Sequence, residues 1–299
     1  MIGRTRRALG ALVAIGSMAL AGCGDDGSAG AEGASDTVRL AVTDLQGLEE
    51  LQREFGAFTD VLEETSGLTV EFYPVNDRVA AAAALESDQV DLVFTGPAEY
   101  VVLNERTEAT PLVAINRPGY RSCLYTTADS GIDSIEDLAG ETVAMSDIGS
   151  TSGHLGPSQI FVDAGMDPLE DVEVLTVGDA VHEALRRGDV AAVGVGCHDY
   201  EEFMAEEDDP SAFPILVEGE ELPPDVILVR DGYDEEAAEA VRAAFEEHFD
   251  ELLEAMLEGD DNSKYTGASL VDVSDSDYDV VRSMYQAIGV DDFTEFVGD

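Results

Sequence analysis

The chain has 299 residues, of which 65 are acidic and 15 are lysine or arginine, so its formal net charge at pH 7 is −50. A surface this acidic repels nucleic acid and anionic lipid headgroups, which argues against both as partners. The acidic residues are spread along the chain, a pattern that suggests adaptation to high salt, where the screening length falls to about 3 Å at 1 M. An acidic calcium-binding protein is the alternative, but patches such as Asp208-Asp209 lack the spacing of an EF-hand loop.

The first 22 residues have the pattern of an export signal. Three arginines lie within residues 4–7, and the apolar run Ala8–Leu20 that follows is too short to span a bilayer. The run ends in Leu-Ala-Gly-Cys, which resembles the lipobox of lipoprotein signal peptides and implies cleavage before Cys23 and a lipid anchor on its thiol. Residues 23–36 are small, polar and acidic, and we expect a flexible tether there. A plain secretory signal with an incidental cysteine is the alternative.

The first part of the remaining chain alternates between strand and helix patterns. In chain order the predicted elements are strand Val38–Thr43, helix Leu48–Ser66 ended by Gly67, strand Leu68–Pro74, helix Arg78–Leu85, strand Val90–Thr95, helix Ala98–Arg106 and strand Thr110–Asn116. This β-α-β order predicts an α/β lobe with a mostly parallel sheet.

A second block also alternates between strand and helix patterns, but its sequence does not repeat that of the first. Its predicted elements are strand Arg121–Thr127, helix Ser134–Leu138, strand Thr142–Met145, helix Gly153–Ala164, strand Val172–Val177, helix Asp179–Arg187, strands Val190–Val195, Pro214–Val217 and Asp225–Arg230, and helices within Asp234–Met256 and Asp277–Gly289. We therefore predict two lobes with a cleft between them. Residues 37–118 and 225–299 form lobe 1, and residues 119–224 form lobe 2.

Three segments follow predicted strands at the places where open α/β sheets bind ligands, namely Thr43-Asp44, Gly96–Tyr100 and Gly149–His154. The most informative lies within Gly149–Pro157, whose sequence is Gly-Ser-Thr-Ser-Gly-His-Leu-Gly-Pro. Hydroxyl donors and the exposed N–H groups of a helix start together suit an oxyanion. An ordinary hydroxyl-rich loop with a serine N-cap is the alternative.

Several short motifs, in the right order, resemble landmarks of one known family. They are Gly96-Pro97-Ala98-Glu99-Tyr100, Tyr120-Arg121-Ser122, Asp129-Ser130-Gly131-Ile132, Asp137-Leu138-Ala139-Gly140, and Ser150-Thr151-Ser152-Gly153 with Leu155 and Pro157. Together they resemble the phosphate/phosphite/phosphonate-binding proteins of ABC importers, which have the periplasmic-binding-protein type II fold. The resemblance implies a ligand held by Ser150, Thr151, Ser152 and the N–H groups that follow, from Gly153 on, with Tyr100 closing from lobe 1. Core packing is the alternative role for Tyr100.

Further ligand candidates come from positions where the chain departs from this family. Arg78 stands where the family commonly has a tyrosine, and its guanidinium would grip a phosphorus oxyanion with two hydrogen bonds. Asp179 stands near the place where the family often has a histidine, and a helix N-cap is its alternative role. His154 lies inside the hydroxyl-rich turn and could donate to an anion. Arg78 could equally be a surface residue beside Asp77.

The cysteines outside the signal leave two alternatives open. Cys123 and Cys197 could form one disulfide in an exported protein, or remain two buried thiols. Cys197-His198-Asp199 has residue types that bind metals, but three adjacent side chains seldom share one ion, so we predict no metal site.

These observations predict an extracytoplasmic solute-binding lipoprotein on the outer face of the cytoplasmic membrane. We expect a monomer that needs no cofactor, captures a phosphonate, phosphite or phosphate ion and passes it to ABC permease subunits. Its lobes would close about hinges near Asn116–Tyr120 and Pro214–Asp231. Two alternatives are a binder of another small anion such as an organosulfonate, and an exported hydrolase. The hydrolase is disfavoured because Gly149–Gly153 outlines Gly-x-Ser-x-Gly but has Thr151 at the nucleophile position.

Overall fold

The fold is taken from a computed structural model that describes residues 37–43, 45, 47–75 and 80–297. The predicted signal at residues 1–22, the lipid attachment at Cys23 and the tether at residues 23–36 therefore lie outside the described residues, as do Asp44 and Arg78. Within the described ranges, every helix is too short or too polar to cross a membrane.

Eleven strands and eight α-helices occur among the described residues. The strands are β1 (Thr37–Val42), β2 (Thr69–Phe72), β3 (Leu92–Thr95), β4 (Thr110–Asn116), β5 (Ser122–Tyr125), β6 (Thr142–Met145), β7 (Glu173–Thr176), β8 (Ala192–Gly196), β9 (Ile215–Glu218), β10 (Asp225–Val229) and β11 (Ser269–Val271). The helices are α1 (Leu48–Ser66), α2 (Ala80–Glu86), α3 (Pro97–Thr107), α4 (Gly156–Asp163), α5 (Val181–Arg187), α6 (Cys197–Glu206), α7 (Glu235–Met256) and α8 (Asp279–Ala287).

The strands form two separate sheets. The first has the order β11-β4-β10-β3-β1-β2, and the second has the order β7-β6-β8-β5-β9. The predicted lobe boundaries at 118/119 and 224/225 fall between the strands of one sheet and those of the other. The chain thus crosses from the first sheet to the second after β4 and returns before β10.

Each sheet is mixed, whereas the sequence predicted mostly parallel sheets. In the first sheet β1 pairs with β2 and β3 in parallel, while β10 lies antiparallel between β3 and β4. In the second sheet β6 pairs in parallel with β7 and β8, while β5 runs antiparallel to β8 and β9. The reversal has a simple cause. β5 and β10 are the first strands after each crossing, and each enters its sheet from the opposite direction.

Helix α1 shows how the sequence pattern produces the packing. Leu51, Phe55, Phe58 and Leu62 recur at helical spacing and are buried against the first sheet and α7. Burying one such side chain contributes about 1.5–3 kcal/mol. The helix ends where Gly67 takes a left-handed conformation at φ 74° and its N–H donates to the carbonyl of Glu63.

Two elements, α6 and β11, were not predicted, and α6 bears on the site. It begins at Cys197, which forms a disulfide with Cys123 of β5 at an S–S distance of 1.99 Å. The structure therefore has the disulfide and not the two free thiols that the sequence left open. The bond ties the start of α6 to β5, an interior strand of the second sheet, and the first turns of α6 face the cleft.

Candidate functional site

A cleft of about 710 Å³ lies between the two sheets. Lobe 1 lines it with Gly96 and Glu99 at the start of α3, and lobe 2 lines it with Ser146, Ser150 and other residues of the turn after β6. The volume is in the range of about 300–1,000 Å³ that is usual for small-molecule sites. Both segments follow the carboxyl ends of strands, as the sequence predicted.

The turn after β6 is held in shape by hydrogen bonds within its own backbone. The Ser146 N–H donates to the carbonyl of Gly153 at 2.9 Å, and Thr151–Leu155 forms a single π-helical turn that leads into α4. Gly149 has φ +80°, a conformation that favours glycine. A Cβ on Gly153 would lie 2.5 Å from the Cβ of Ser146, so the chain closes this tightly only with glycine at 153.

Ser150, Thr151 and Ser152 all line the cleft, yet two of the hydroxyls also have partners within the protein. Ser150 Oγ accepts from the Gly153 N–H at 3.2 Å, so Ser150 is also the N-cap of the π-helical turn. Thr151 Oγ1 accepts from the Ala98 N–H at 3.0 Å, which joins the turn in lobe 2 to the start of α3 in lobe 1. A hydroxyl can donate while it accepts, so these bonds leave Ser150 and Thr151 able to donate to an anion.

The Gly153 N–H, which the sequence assigned to the ligand, is used inside the turn. It donates to Ser150 Oγ, and the N–H groups of His154 and Leu155 donate to the carbonyl of Ser150 at 3.0 and 2.9 Å. These three N–H groups are therefore used inside the turn, and the hydroxyl groups of the turn remain as donors to a ligand.

Tyr100 is placed elsewhere than the sequence predicted and is absent from the described residues that line the cleft. Its side chain is fully buried, its hydroxyl donates to Asp275 at 3.0 Å, and its ring lies 4.0 Å from that of Tyr278. The phase of α3 explains this placement. Gly96 and Glu99 face the cleft, so the next position turns toward the C-terminal segment.

His154 supports the turn from inside the protein and is likewise outside the described lining of the cleft. Its Nδ1 accepts from the Gly149 N–H at 3.1 Å, which requires a ring with the proton on Nε2. Burial lowers the pKa of His154 to about 4, so the ring is neutral at pH 7. A neutral ring that accepts from the backbone stabilises the turn and adds no positive charge for an anion.

Asp179 does line the cleft. It lies in a single 3-10 turn, Gly178–Ala180, ahead of α5, and no side-chain capping bond is present at this helix start among the described residues. The alternative role of an N-cap is therefore not seen. With Asp147 beside it in the lining, it adds negative charge to the same side of the cleft.

The cleft as a whole is acidic. Of the described residues that line it, nine carry a carboxylate and three carry an arginine or lysine side chain, namely Arg117, Arg186 and Lys264. Arg78, the cation that the sequence proposed, lies outside the described residues. A bound oxyanion would thus meet few positive charges.

Sequence reasoning missed Arg117 as a site residue, although it lies in the predicted hinge. Its side chain is 7 % exposed, and its Nη2 lies 3.0 Å from Asp225 Oδ1. The guanidinium lies over the ring of Tyr120, 3.5 Å from the ring centre, and Tyr265 donates to the other oxygen of Asp225 at 2.7 Å. Arg117 directly follows β4 and Asp225 begins β10, so the ion pair joins the two chain crossings.

An aromatic group forms the lobe 2 wall of the cleft. The rings of His182 and Phe203 are stacked with centroids 4.4 Å apart, and the hydroxyl of Tyr125 forms a hydrogen bond with His182 Nδ1. Burial lowers the pKa of His182. The Arg186 guanidinium covers Phe203 from 4.6 Å and pairs with Glu207. His182, Phe203 and Arg186 all line the cleft, and Phe203, which both other side chains cover, is buried.

The three adjacent residues with metal-binding side-chain types, Cys197, His198 and Asp199, have other contacts. Cys197 is in the disulfide, and His198 Nε2 lies 3.1 Å from Asp199 Oδ1. No group of three histidine, cysteine or carboxylate side chains among the described residues could hold a metal ion.

Residues 41–278 match the family model described as "ABC transporter, phosphonate, periplasmic substrate-binding protein". The match covers most of the chain and includes both sheets. The chain belongs to this family. Family members are binding proteins for transport. The resemblance suggested by the sequence motifs is thereby confirmed.

One curated relative is the phosphate-import protein PhnD of Mycolicibacterium smegmatis, which is 32 % identical over 163 residues. The aligned part is 52 % of this chain and 51 % of the relative, so the chain spans about half the length of that relative.

Solved structures of two related binding proteins have the same fold. PhnD1 from Prochlorococcus marinus in complex with methylphosphonate has a TM-score of 0.64 at 14 % identity, covering 85 % of this chain and 99 % of its own. The aliphatic sulphonate binding protein SsuA from Escherichia coli has a TM-score of 0.59 at 13 % identity, covering 85 % and 87 %. The family member described here thus has the periplasmic-binding-protein type II fold.

Proposed function

We propose that this chain captures a phosphorus oxyanion, that is a phosphonate, phosphite or phosphate ion, in the cleft and delivers it to the permease of an ABC importer. The observation that carries the proposal is the row of three hydroxyls, Ser150, Thr151 and Ser152, at one side of a cleft between two lobes. Residues 37–118 with 225–299 and residues 119–224 would move as the two lobes.

The chemistry of the turn suits such a ligand. A tetrahedral oxyanion has several acceptor atoms and needs several donors, and each hydrogen bond to a charged group contributes about 1.5–3 kcal/mol. Hydroxyls supply these donors and rotate to fit the anion. The turn is fixed by its own backbone bonds and by His154, so little ordering is needed when the ligand binds.

A thermal-shift panel tests the proposed ligand class. The purified protein is heated in high salt with phosphonate, phosphite, phosphate or an organosulfonate, and chloride serves as the control anion. A ligand at about 100 times its Kd stabilises the native state by about 2.7 kcal/mol, which raises the melting temperature. A rise with a phosphorus oxyanion and with no other anion supports the proposal, and no rise with any of them contradicts it.

A second candidate is an organosulfonate binder, which the likeness to sulphonate-binding structures favours. The aromatic wall of His182 and Phe203 could contact the organic part of such a ligand. The same panel separates the candidates, because a sulfonate binder would respond to the sulfonate and not to inorganic phosphate.

The proposal also includes a lipid anchor on Cys23, which follows from the signal pattern alone. Cell fractionation tests it. The full chain is expected in the membrane fraction and a Cys23→Ser variant in the soluble fraction. Equal distribution of the two forms would contradict the anchor.

A further inference from the structure

The acidic lining of the cleft opposes the binding of an anion. Carboxylates outnumber arginine and lysine side chains by nine to three among the described residues that line it. An anion that enters such a cleft is repelled by the general field, so its binding depends on a cation in direct contact. Among the three described cations, position and burial indicate which is best placed for this contact.

Arg186 and Lys264 are poorly placed for the task. The Arg186 side chain is 39 % exposed, pairs with Glu183 and Glu207, and lies over the ring of Phe203. Lys264 has its Nζ 5.6 Å from the ring centre of Tyr265, at a position between core and surface. Charges that solvent reaches are screened and contribute little to binding.

Arg117 differs from both because its side chain is only 7 % exposed and still lines the cleft. We propose that Arg117 is the guanidinium that binds the phosphorus oxyanion, together with the hydroxyls of the turn after β6. This assignment rests on the proposed function. It adds a charged ligand group that the sequence did not identify.

The surroundings of Arg117 fix the guanidinium in one orientation. The ring of Tyr120 lies against its face at 3.5 Å, and Asp225 holds Nη2 at 3.0 Å. A guanidinium has five N–H donors arranged as a fork, so one carboxylate and one oxyanion can bind to different edges. Tyr265 donates to Asp225 at 2.7 Å, which takes up part of the carboxylate's accepting capacity.

The position of Arg117 at a chain crossing also affects its contact with the anion when the lobes close. Arg117 and Asp225 stand at the two crossings between the sheets, where the chain would bend as the lobes close. Residues at a hinge move least during such a rotation. Arg117 would therefore keep its contact with the anion as the turn after β6 closes on it.

Two variants that differ only at position 117 test the assignment. Arg117→Gln alone would remove the cation that pairs with the buried Asp225 carboxylate, which could unfold the protein. The comparison is therefore made between Asp225→Asn and the double variant Arg117→Gln/Asp225→Asn, both of which avoid that charge. Arg187→Gln removes an exposed cation from outside the described lining of the cleft and serves as the control.

Calorimetric titration with the phosphorus oxyanion that stabilises the wild type in the thermal-shift panel gives the readout. The double variant should bind about tenfold to about a hundredfold more weakly than Asp225→Asn, because it lacks one charged hydrogen-bonding group. Arg187→Gln should change the affinity by less than about twofold.

The outcomes separate this inference from the proposed function. If the wild type binds and the double variant matches Asp225→Asn within twofold, Arg117 is not a ligand group and the proposed function stands. If the wild type binds no phosphorus oxyanion, the proposed function fails and the inference fails with it.

Should the double variant melt far below Asp225→Asn, Arg117→Lys/Asp225→Asn replaces it. This variant keeps the charge and should bind about twofold to about tenfold more weakly than Asp225→Asn, because lysine lacks the planar fork. An affinity equal to that of Asp225→Asn, or a complete loss of binding in the folded variant, would then overturn the assignment.

Discussion

The close contact between Gly153 and Ser146 makes the turn after β6 sensitive to a single methyl group. In Gly153→Ala the new Cβ would lie 2.5 Å from the Cβ and 2.6 Å from the Oγ of Ser146. Carbon atoms in contact prefer about 3.5–4.0 Å, so the turn must move by about 1 Å. Overpacking of this kind costs about 1–3 kcal/mol of stability. The hydroxyls of Ser150 and Ser152 move with the turn.

The variant is expected to remain folded and to bind the anion about tenfold to about a hundredfold more weakly, since one charge-assisted hydrogen bond is lost. Denaturant unfolding gives the stability and calorimetry gives the affinity. Gly56→Ala is the matched control, because Gly56 lies in α1 with open space around its Cβ. It should raise stability by about 0.5–1 kcal/mol and leave affinity unchanged. A Gly153→Ala protein with wild-type stability and affinity would show that the contact with Ser146 does not control the position of the hydroxyls.

Three further predictions concern other parts of the molecule. Reduction of the bond between Cys123 and Cys197, which are 74 residues apart, should lower the free energy of unfolding by about 2–5 kcal/mol in chemical denaturation, and an unchanged midpoint would contradict this. Because the folded pKa of His154, about 4, lies below its ordinary value of about 6.5, its contribution of up to about 3 kcal/mol is present above pH 6.5 and lost as the pH falls toward 4. His154→Gln should flatten that part of the stability curve, and an unaltered curve would assign the loss to other groups. Tyr100→Phe removes one hydrogen bond to Asp275, so it should cost about 1 kcal/mol and leave affinity within twofold, whereas a tenfold loss would place Tyr100 at the ligand.

The fold was readable from the sequence wherever the apolar period was long and its ends were marked. Helix α1 has both predicted ends, because Leu51, Phe55, Phe58 and Leu62 hold the period and Gly67 stops it. Helix α6 was missed. Its apolar positions are few and lie among acidic residues, so the buried side of the helix is defined mainly by Cys197 and Phe203.

Strand direction and helix phase depend on the rest of the fold. Strand β10 runs antiparallel because the chain returns from the other sheet, a fact that no local pattern within Asp225–Val229 contains. Strand β11 has only three residues, too few for an alternation to be read.

Only the part of the site that has a local sequence signal could be predicted. The turn of Ser150–Ser152 could be located because it follows a strand and starts a helix, and it does line the cleft. Which of Glu99 and Tyr100 faces the ligand depends on the rotation of α3, which tertiary packing sets. The burial of Arg117 likewise depends on Tyr120 and Asp225 meeting it at the crossings, and the sequence places Asp225 more than a hundred residues away.

One calorimetric comparison shows whether the hydroxyls of the turn after β6 bind a phosphorus oxyanion. Wild type and Ser150→Ala/Ser152→Ala are titrated with the same phosphorus oxyanion, with Ser158→Ala, a hydroxyl in α4 that donates to the carbonyl of His154, as control. We expect the wild type and the control to bind, and the double variant to bind more weakly by about a hundredfold or more. Equal affinity in the folded double variant would contradict this expectation.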